Sequence, residues 1–301
     1  MNNKELFKAV GSVDADLIEQ AETAGRVRKK SYAKWGALAA CLALAIGAAV
    51  YPFPQAKPSA TPQISQQAPA AAPNGIRKFL NYNGYRYAFV GDGARFEFKG
   101  MELAKPLGTL DHDISSDIGQ HHESVYADKD YAATFAVGGK LYEIPTYPSH
   151  FRIAVQYQQH NYLAEIVAKA DDSTISATEY LDMSGLKAHA RDIHISNHAG
   201  NEVLKKVTDH GAVESVIEGL YEAETARLTG WEYEAIAEAQ AQGKSYQLKF
   251  NLQDGTEMAM YIIPELKVVS MGDAYYRLPD AFFKQSGDLF EGLKQEALPL
   301  Y

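Results

Sequence analysis

Cysteine is nearly absent from this sequence: Cys41 is the only one in 301 residues. No internal disulfide can form, and no cysteine-based metal site can be built. Tryptophan is scarce as well, with Trp35 and Trp231 alone. Positive charge is in deficit, 29 Lys and Arg against 38 Asp and Glu for a net charge of −9, which argues against a binder of nucleic-acid backbones. The familiar catalytic signatures are missing too: no G-x-S-x-G elbow, no P-loop, and no G-x-G-x-x-G behind a strand. His122-Glu123-Ser124-Val125 begins like a zinc-protease helix, but Tyr126 stands where the second histidine is required. What is present, 46 % hydrophobic and 22 % charged residues, suits a folded chain, and its length suits two domains of ordinary size.

One long stretch lacks charge altogether. Between Lys34 and Lys57 lie 22 residues with none, beginning with the Ala/Leu-rich run Trp35–Tyr51. Seventeen helical residues span roughly 25 Å, the short end of a bilayer core. Trp35 and Tyr51 bracket the run as interfacial aromatics do, and Arg26, Arg28, Lys29, Lys30 and Lys34 crowd its N-terminal side. The pattern predicts a single transmembrane helix over 35–53, with the N-terminus cytoplasmic and the C-terminus extracellular at the cell membrane. A cleaved signal peptide is the rival reading, set against a leader of 34 residues, long for a basic n-region. Leu38-Ala39-Ala40-Cys41 reads like a lipobox, but its cysteine falls near the start of the apolar run rather than after it.

Residues 1–34 carry net charge +2 and an apolar stripe of Leu6, Phe7, Val10, Val13, Leu17 and Ile18. Gly11 allows one helix or two short ones meeting near Gly11-Ser12. A helix this short is marginal alone in water, so the stripe needs a partner protein or the inner membrane surface; a frayed topogenic tail is the plain alternative. Leu6, Phe7, Val10, Leu17 and Ile18 are the candidate partner-binding residues. The stretch Glu5-Leu6-Phe7-Lys8-Ala9-Val10-Gly11, then Val13–Ile18, the basic cluster and Trp35–Leu42, resembles a group of uncharacterised single-pass membrane proteins of Gram-positive bacteria. The resemblance covers about the first 50 residues, with a similar look at Leu107–Leu110 and Tyr131–Pro145. It implies an anti-sigma-like regulator with a sigma-factor-like cytoplasmic partner, but brings no functional residue with it. The His-x3-Cys-x2-Cys pattern of zinc-type anti-sigma domains is missing, since 1–34 hold neither His nor Cys.

Residues 54–76 read as a Pro/Ala-rich linker; six of the twelve prolines lie between Pro52 and Ile76, and a Pro-rich chain of that length reaches roughly 75 Å. Beyond it the expected fold class is α+β: a small antiparallel all-β domain over 77–170, barrel or sandwich, then an α+β domain over 171–301. In the first, Tyr85–Val90 and Phe151–Val167 alternate as strands do. Ala132–Val137 and Lys140–Ile144 read as a hairpin on Gly138-Gly139, pairing Phe135 with Tyr142 and Ala133 with Ile144. In the second, a strand is expected over Leu186–Ser196, helices over Asp209–Glu222 and Trp231–Ala241, strands near 266–270 and 274–278, and a helix after Pro279. Between Tyr246–Leu252 and Thr256–Ile263 a two-residue loop would mix the faces. A three-residue loop, Gln253-Asp254-Gly255, pairs Phe250 with Met258, Leu248 with Met260 and Tyr246 with Ile262.

The outer part carries 22 Lys and Arg against 33 Asp and Glu, net −11, and should be repelled by anionic polymers and lipids. Its one candidate metal cluster is His112, His121 and His122 with Asp111, Asp113 and Glu123, at spacings matching no familiar site, so a solvated loop is preferred. His194 and His198 should share a strand face that His189 does not. Nine tyrosines between Tyr82 and Tyr162 read as half-buried strand residues rather than a sugar-stacking platform, and Trp231 as a core anchor. No catalytic, cofactor-binding or metal-binding residue is assigned, and no cofactor. The expected function is a membrane-anchored sensor or regulator with an unknown extracellular ligand, not an enzyme and not a nucleic-acid binder. The alternatives are a tethered peptide- or glycan-binding module whose N-terminus only sets topology, and a surface hydrolase using the His112/His121/His122 loop.

Overall fold

The structure, a computed structural model, describes residues 63–66, 77–99, 103, 105–119, 129–148, 151–171 and 173–296. The segments expected to be cytoplasmic and transmembrane, with Leu6, Phe7, Val10, Leu17 and Ile18, lie outside them, as do His121 and His122. No helix among the described residues is long and apolar enough to cross a membrane. The described residues have mixed α and β content, built on two sheets.

The first sheet takes β1 (Gln63–Gln66), β2 (Phe79–Tyr82), β3 (Tyr85–Phe89), β4 (Arg95–Lys99), β5 (Pro106–Thr109) and β6 (His112–Asp113). After helix α1 (Ile114–Gly119) come β7 (Ala132–Ala133), β8 (Lys140–Glu143), β9 (Arg152–Tyr157) and β10 (His160–Lys169). The main order is β5-β8-β9-β10-β3-β2-β7-β6, with β4 on β10 and β1 on β4. The two ends of that order, β5 and β6, are one stretch of chain separated only by Leu110 and Asp111. Leu110 bonds to Gly138 and Gly139 just before β8, while Asp111 N donates to Tyr131 O just before β7. The sheet therefore closes on itself, with its seam at Leu110–Asp111. Closure removes open edges from the ring and encloses Leu80, Tyr87, Phe89, Leu110 and Leu141, all nearly or fully buried.

Two sequence expectations change here. The Gly138-Gly139 hairpin does not form: β7 pairs with β2 and, in parallel, with β6, while β8 pairs with β5 and β9. The seam chain is inserted between the two arms. Thr134 bonds to Phe79, and the Phe135 ring leaves the sheet to meet Phe89 and Tyr162 edge-on, each at 5.1 Å. Local alternation was present, but the partner of each arm is remote in sequence. Second, Gln63–Gln66, inside the stretch read as spacer, is a strand whose register runs Gln63↔Lys99, Ile64↔Phe98, Ser65↔Glu97, Gln66↔Phe96.

The second half continues through α2 (Ala177–Ser184), α3 (Leu186–His189), β11 (Ala190–Asn197), β12 (Val203–Val207), α4 (His210–Tyr221), β13 (Glu224–Thr225), α5 (Gly230–Ala241), β14 (Tyr246–Leu252), β15 (Glu257–Ile263), β16 (Val268–Met271), β17 (Ala274–Arg277) and α6 (Asp280–Ser286). Its antiparallel sheet has the order β12-β11-β14-β15-β16-β17-β13. The three-residue loop is as expected: Phe250 pairs with Met258, Leu248 with Met260 and Tyr246 with Ile262, and Gly255 takes φ 85°. One face of this sheet is apolar and faces the main core. Asp209 caps α4 by accepting from Ala212 N, and Val213, Val216, Ile217 and Leu220 form its buried stripe. Thr229 and Glu232 form a capping box at α5, which covers Ile263 and Val268 on the opposite face. The expected strand from Leu186 starts only at Ala190, because Gly185 (φ 59°) closes α2 and a further helical turn follows. Trp231 is not a core anchor: it is 68 % exposed, on the side of α5 away from Ile236 and Gln240.

A single hydrophobic cluster runs from Leu80 through Ile153 to Phe250 and Phe290, so the two sheets share one core. Ile153, Ala154 and Val155 are all fully buried, which covers β9 on both faces. The polar join between the sheets is Arg152. Its Nε and Nη2 donate to Glu165 Oε2 at 2.7 and 2.5 Å, Nη1 to Thr256 Oγ1 at 2.6 Å and Tyr147 OH at 3.1 Å, and Nη2 to Glu257 O at 2.9 Å. Tyr147 OH donates in turn to Asp254 Oδ2 at 2.8 Å. The Gln253-Asp254-Gly255 loop, legible as a turn, is thus also the plug that seats the second sheet against the first.

Candidate functional site

Three polar clusters are candidates for chemistry. The Arg152 group is closed: the arginine is 0 % exposed, all five of its N–H donors are taken, and the ion pair is supported by fixed dipoles. Burial disfavours its charge, but Glu165 beside it outweighs that and raises its pKa. Burial likewise raises Tyr147. A saturated cluster with no open face joins elements and offers nothing to a substrate.

His112 is the described member of the histidine loop. Its Nε2 pairs with Asp117 and its Nδ1 accepts from Lys129 Nζ at 2.8 Å, so both ring nitrogens are engaged by α1 and its flank. Asp113 caps the same turn, accepting from Ser115 N and Ser116 Oγ at 2.9 Å each. Among the described residues no three His, Cys, Asp or Glu side chains are placed to hold a metal ion. His189, His194 and His198 do not converge either. His189 ends α3 against the Tyr147 ring, and His194 pairs with Asp192 at 3.3 Å. His198 is buried, its Nδ1 2.8 Å from Ser245 Oγ, and desolvation depresses its pKa to about 4. The strand expected to carry all three holds only His194: His189 closes the helix before it and His198 lies just past its end at Asn197, where Gln247 Nε2 reaches His198 O, so strand spacing does not relate the three. Ser245 is fully buried, so the Ser245–His198 pair has no route to a substrate. Of the nine tyrosines from Tyr82 to Tyr162, eight are described and none is exposed, which leaves no aromatic platform among them.

The third candidate is open. Beside β4 and the β9–β10 turn lies a surface groove of about 310 Å³, lined by Arg95, Phe96, Glu97 and Phe98 on one side and Gln159, His160 and Asn161 on the other. Strand β4 meets β10 through only two residue pairs, Asn161↔Phe96 and Tyr162↔Arg95, so the groove sits at one of the shortest strand pairings in the sheet. Two atoms here are buried without a hydrogen-bond partner, Arg95 Nε and Asn161 Oδ1, one donor and one acceptor. Such groups cost about 1–3 kcal/mol each unless something satisfies them. The turn itself is strained: Gln158 and Gln159 hold φ of 49° and 63°, where Asn-Gly is the usual choice. Sequence reasoning passed over all of these, because none carries a catalytic residue type and Gln-Gln is not a turn signal.

The groove and strand β1 share residues. Phe96, Glu97 and Phe98 line the groove and are the backbone partners of Gln66, Ser65 and Ile64. No protein-family model, no curated protein and no solved structure matches this chain.

Proposed function

We propose that the protein is a membrane-anchored sensor or regulator, without enzymatic activity, whose outer part binds a ligand at the β4 groove and whose residues 1–34 engage a cytoplasmic partner of the sigma-factor kind. The observation that carries this reading is the shared use of β4: Phe96, Glu97 and Phe98, three of the residues that line the groove, also hold the tether strand β1. A passive spacer has no need to dock on the domain it carries. Docked, only residues 54–62 separate β1 from the expected transmembrane helix, about 30 Å when extended; released, the spacer runs through to residue 76, about 75 Å. Binding at the groove and docking of the tether therefore bias one another, and the bias acts on the element nearest the membrane.

The test is a crosslinked pull-down from membranes with three forms of the full chain: intact, residues 1–34 replaced by a neutral basic leader, and Ile64→Pro with Ser65→Pro. One of those two consecutive N–H groups must face β4, so the double proline breaks the ladder. The intact chain should bring down a cytoplasmic regulator that the leader form loses, and the proline form should change its yield several-fold. Identical partners from all three forms, all of them extracellular, would leave a tethered binding module.

A further inference from the structure

We infer that β1 is exchanged between neighbouring copies of this chain, so that the β4 edge of one copy is completed by Gln63–Gln66 of another. The inference rests on the reading of β1 as a docking tether. Strand β1 has four residues and a single neighbour, β4. It contributes nothing to the closed ring, whose strands are complete without it. On its other side, β4 is held by two residue pairs with β10. An edge strand without a cover offers free N–H and C=O groups to any extended chain, and the sequence with the register to fit this edge is present in every copy.

Chain length permits the exchange. Ten residues, 67–76, separate β1 from the first sheet's next described residue, and at about 3.3 Å each they reach about 33 Å. The ladder bonds are the same whether β1 comes from its own copy or a neighbour, so the equilibrium is set by local concentration rather than by contact energy. Confinement of several copies to one membrane surface raises that concentration by the same logic as a linker. The outer part carries net charge −11, which opposes close approach of copies, so exchange should strengthen with ionic strength.

The experiment uses the full chain in its membrane, with Cys41→Ala as background and two differently tagged copies expressed together. One copy carries Ser65→Cys and the other Glu97→Cys, positions that face each other in the β1–β4 register. A short bifunctional thiol reagent should give a dimer bearing both tags, several-fold more than when the second copy carries cysteine at the exposed, remote Glu234. The yield should rise with expression level and fall to the Glu234 background when Gln63→Pro and Ile64→Pro are added together, since one of those two consecutive N–H groups must face β4. A chain carrying both Ser65→Cys and Glu97→Cys reports docking by itself, as loss of both thiols without dimer. If that chain links internally while mixed copies do not link, exchange is overturned and docking stands. Equal yield with Glu234→Cys also overturns exchange, as mere crowding. If neither pairing links in any form, docking itself falls, and the proposed function with it.

Discussion

All five N–H donors of Arg152 are taken by groups from three stretches of chain: Glu165 on β10, Tyr147 before β9, and the adjacent Thr256 hydroxyl and Glu257 carbonyl where β15 begins. Such a charge contributes little as a net gain, but removing half of it strands the rest. Arg152→Met should cost about 3–5 kcal/mol in urea unfolding, by leaving Glu165 without its partner; Arg152→Met with Glu165→Leu should cost less. Equal losses would show that the pairing is not the source. His198 gives a pH signature. Its folded pKa of about 4 lies below the unfolded value of about 6.5, so the unfolded chain takes up the proton first. Its contribution is whole above pH 6.5 and drains as pH falls through that window toward 4. Stability should drop by about 2 kcal/mol between pH 7 and pH 5, and His198→Gln should flatten that slope. Trp231, exposed and unburdened by packing, should tolerate Trp231→Ser within about 0.5 kcal/mol in the same assay.

The elements that could be read from sequence are those whose partner lies next door. Strands β14 and β15 are joined by a short turn around Gln253-Asp254-Gly255, so face parity alone selects the loop, and the expected pairs Phe250–Met258, Leu248–Met260 and Tyr246–Ile262 are those observed. Helices α4, α5 and α6 fall close to the expected spans, and the structure adds the Asp209 cap and the Thr229–Glu232 box at the starts of the first two, with Pro279 ahead of the third. Arms that diverge were misread: β7 and β8 look like a hairpin, and only the remote seam at Leu110 says otherwise. Strand β1 is illegible for a similar reason, since Gln-Ile-Ser-Gln has no strand pattern until β4 supplies one. The Arg152 cluster joins residues up to 107 apart, a separation no local pattern carries. Gly272 shows the same non-local logic. It holds φ 59° in the β16–β17 turn, where a Cβ would stand 2.5 Å from Val167 O, and Val167 is the bulge of β10 whose carbonyl accepts from Asp273 N. Gly272→Ala should therefore cost about 2 kcal/mol or more, against about 1 kcal/mol for Gly255→Ala, whose strain is local. The β9–β10 turn runs the other way: Gln158→Asn with Gln159→Gly should raise stability by about 1 kcal/mol, measured as a higher urea midpoint.

At the scale of the whole molecule the two sheets behave as one unfolding unit, because they share a core and the Asp254 loop is seated in the first sheet. Calorimetry should show one transition, and two separable ones would refute the shared core. Within that unit the strands are unequal under load. A pull on the chain from ahead of Gln63 meets only the four-residue β1–β4 ladder before it reaches the closed ring. That ladder would part first and pay out residues 63–76, up to about 46 Å of slack, while the ring stays shut. Tension applied ahead of β1 would thereby be converted into a step of fixed length, the ladder yielding as a mechanical fuse for the fold behind it.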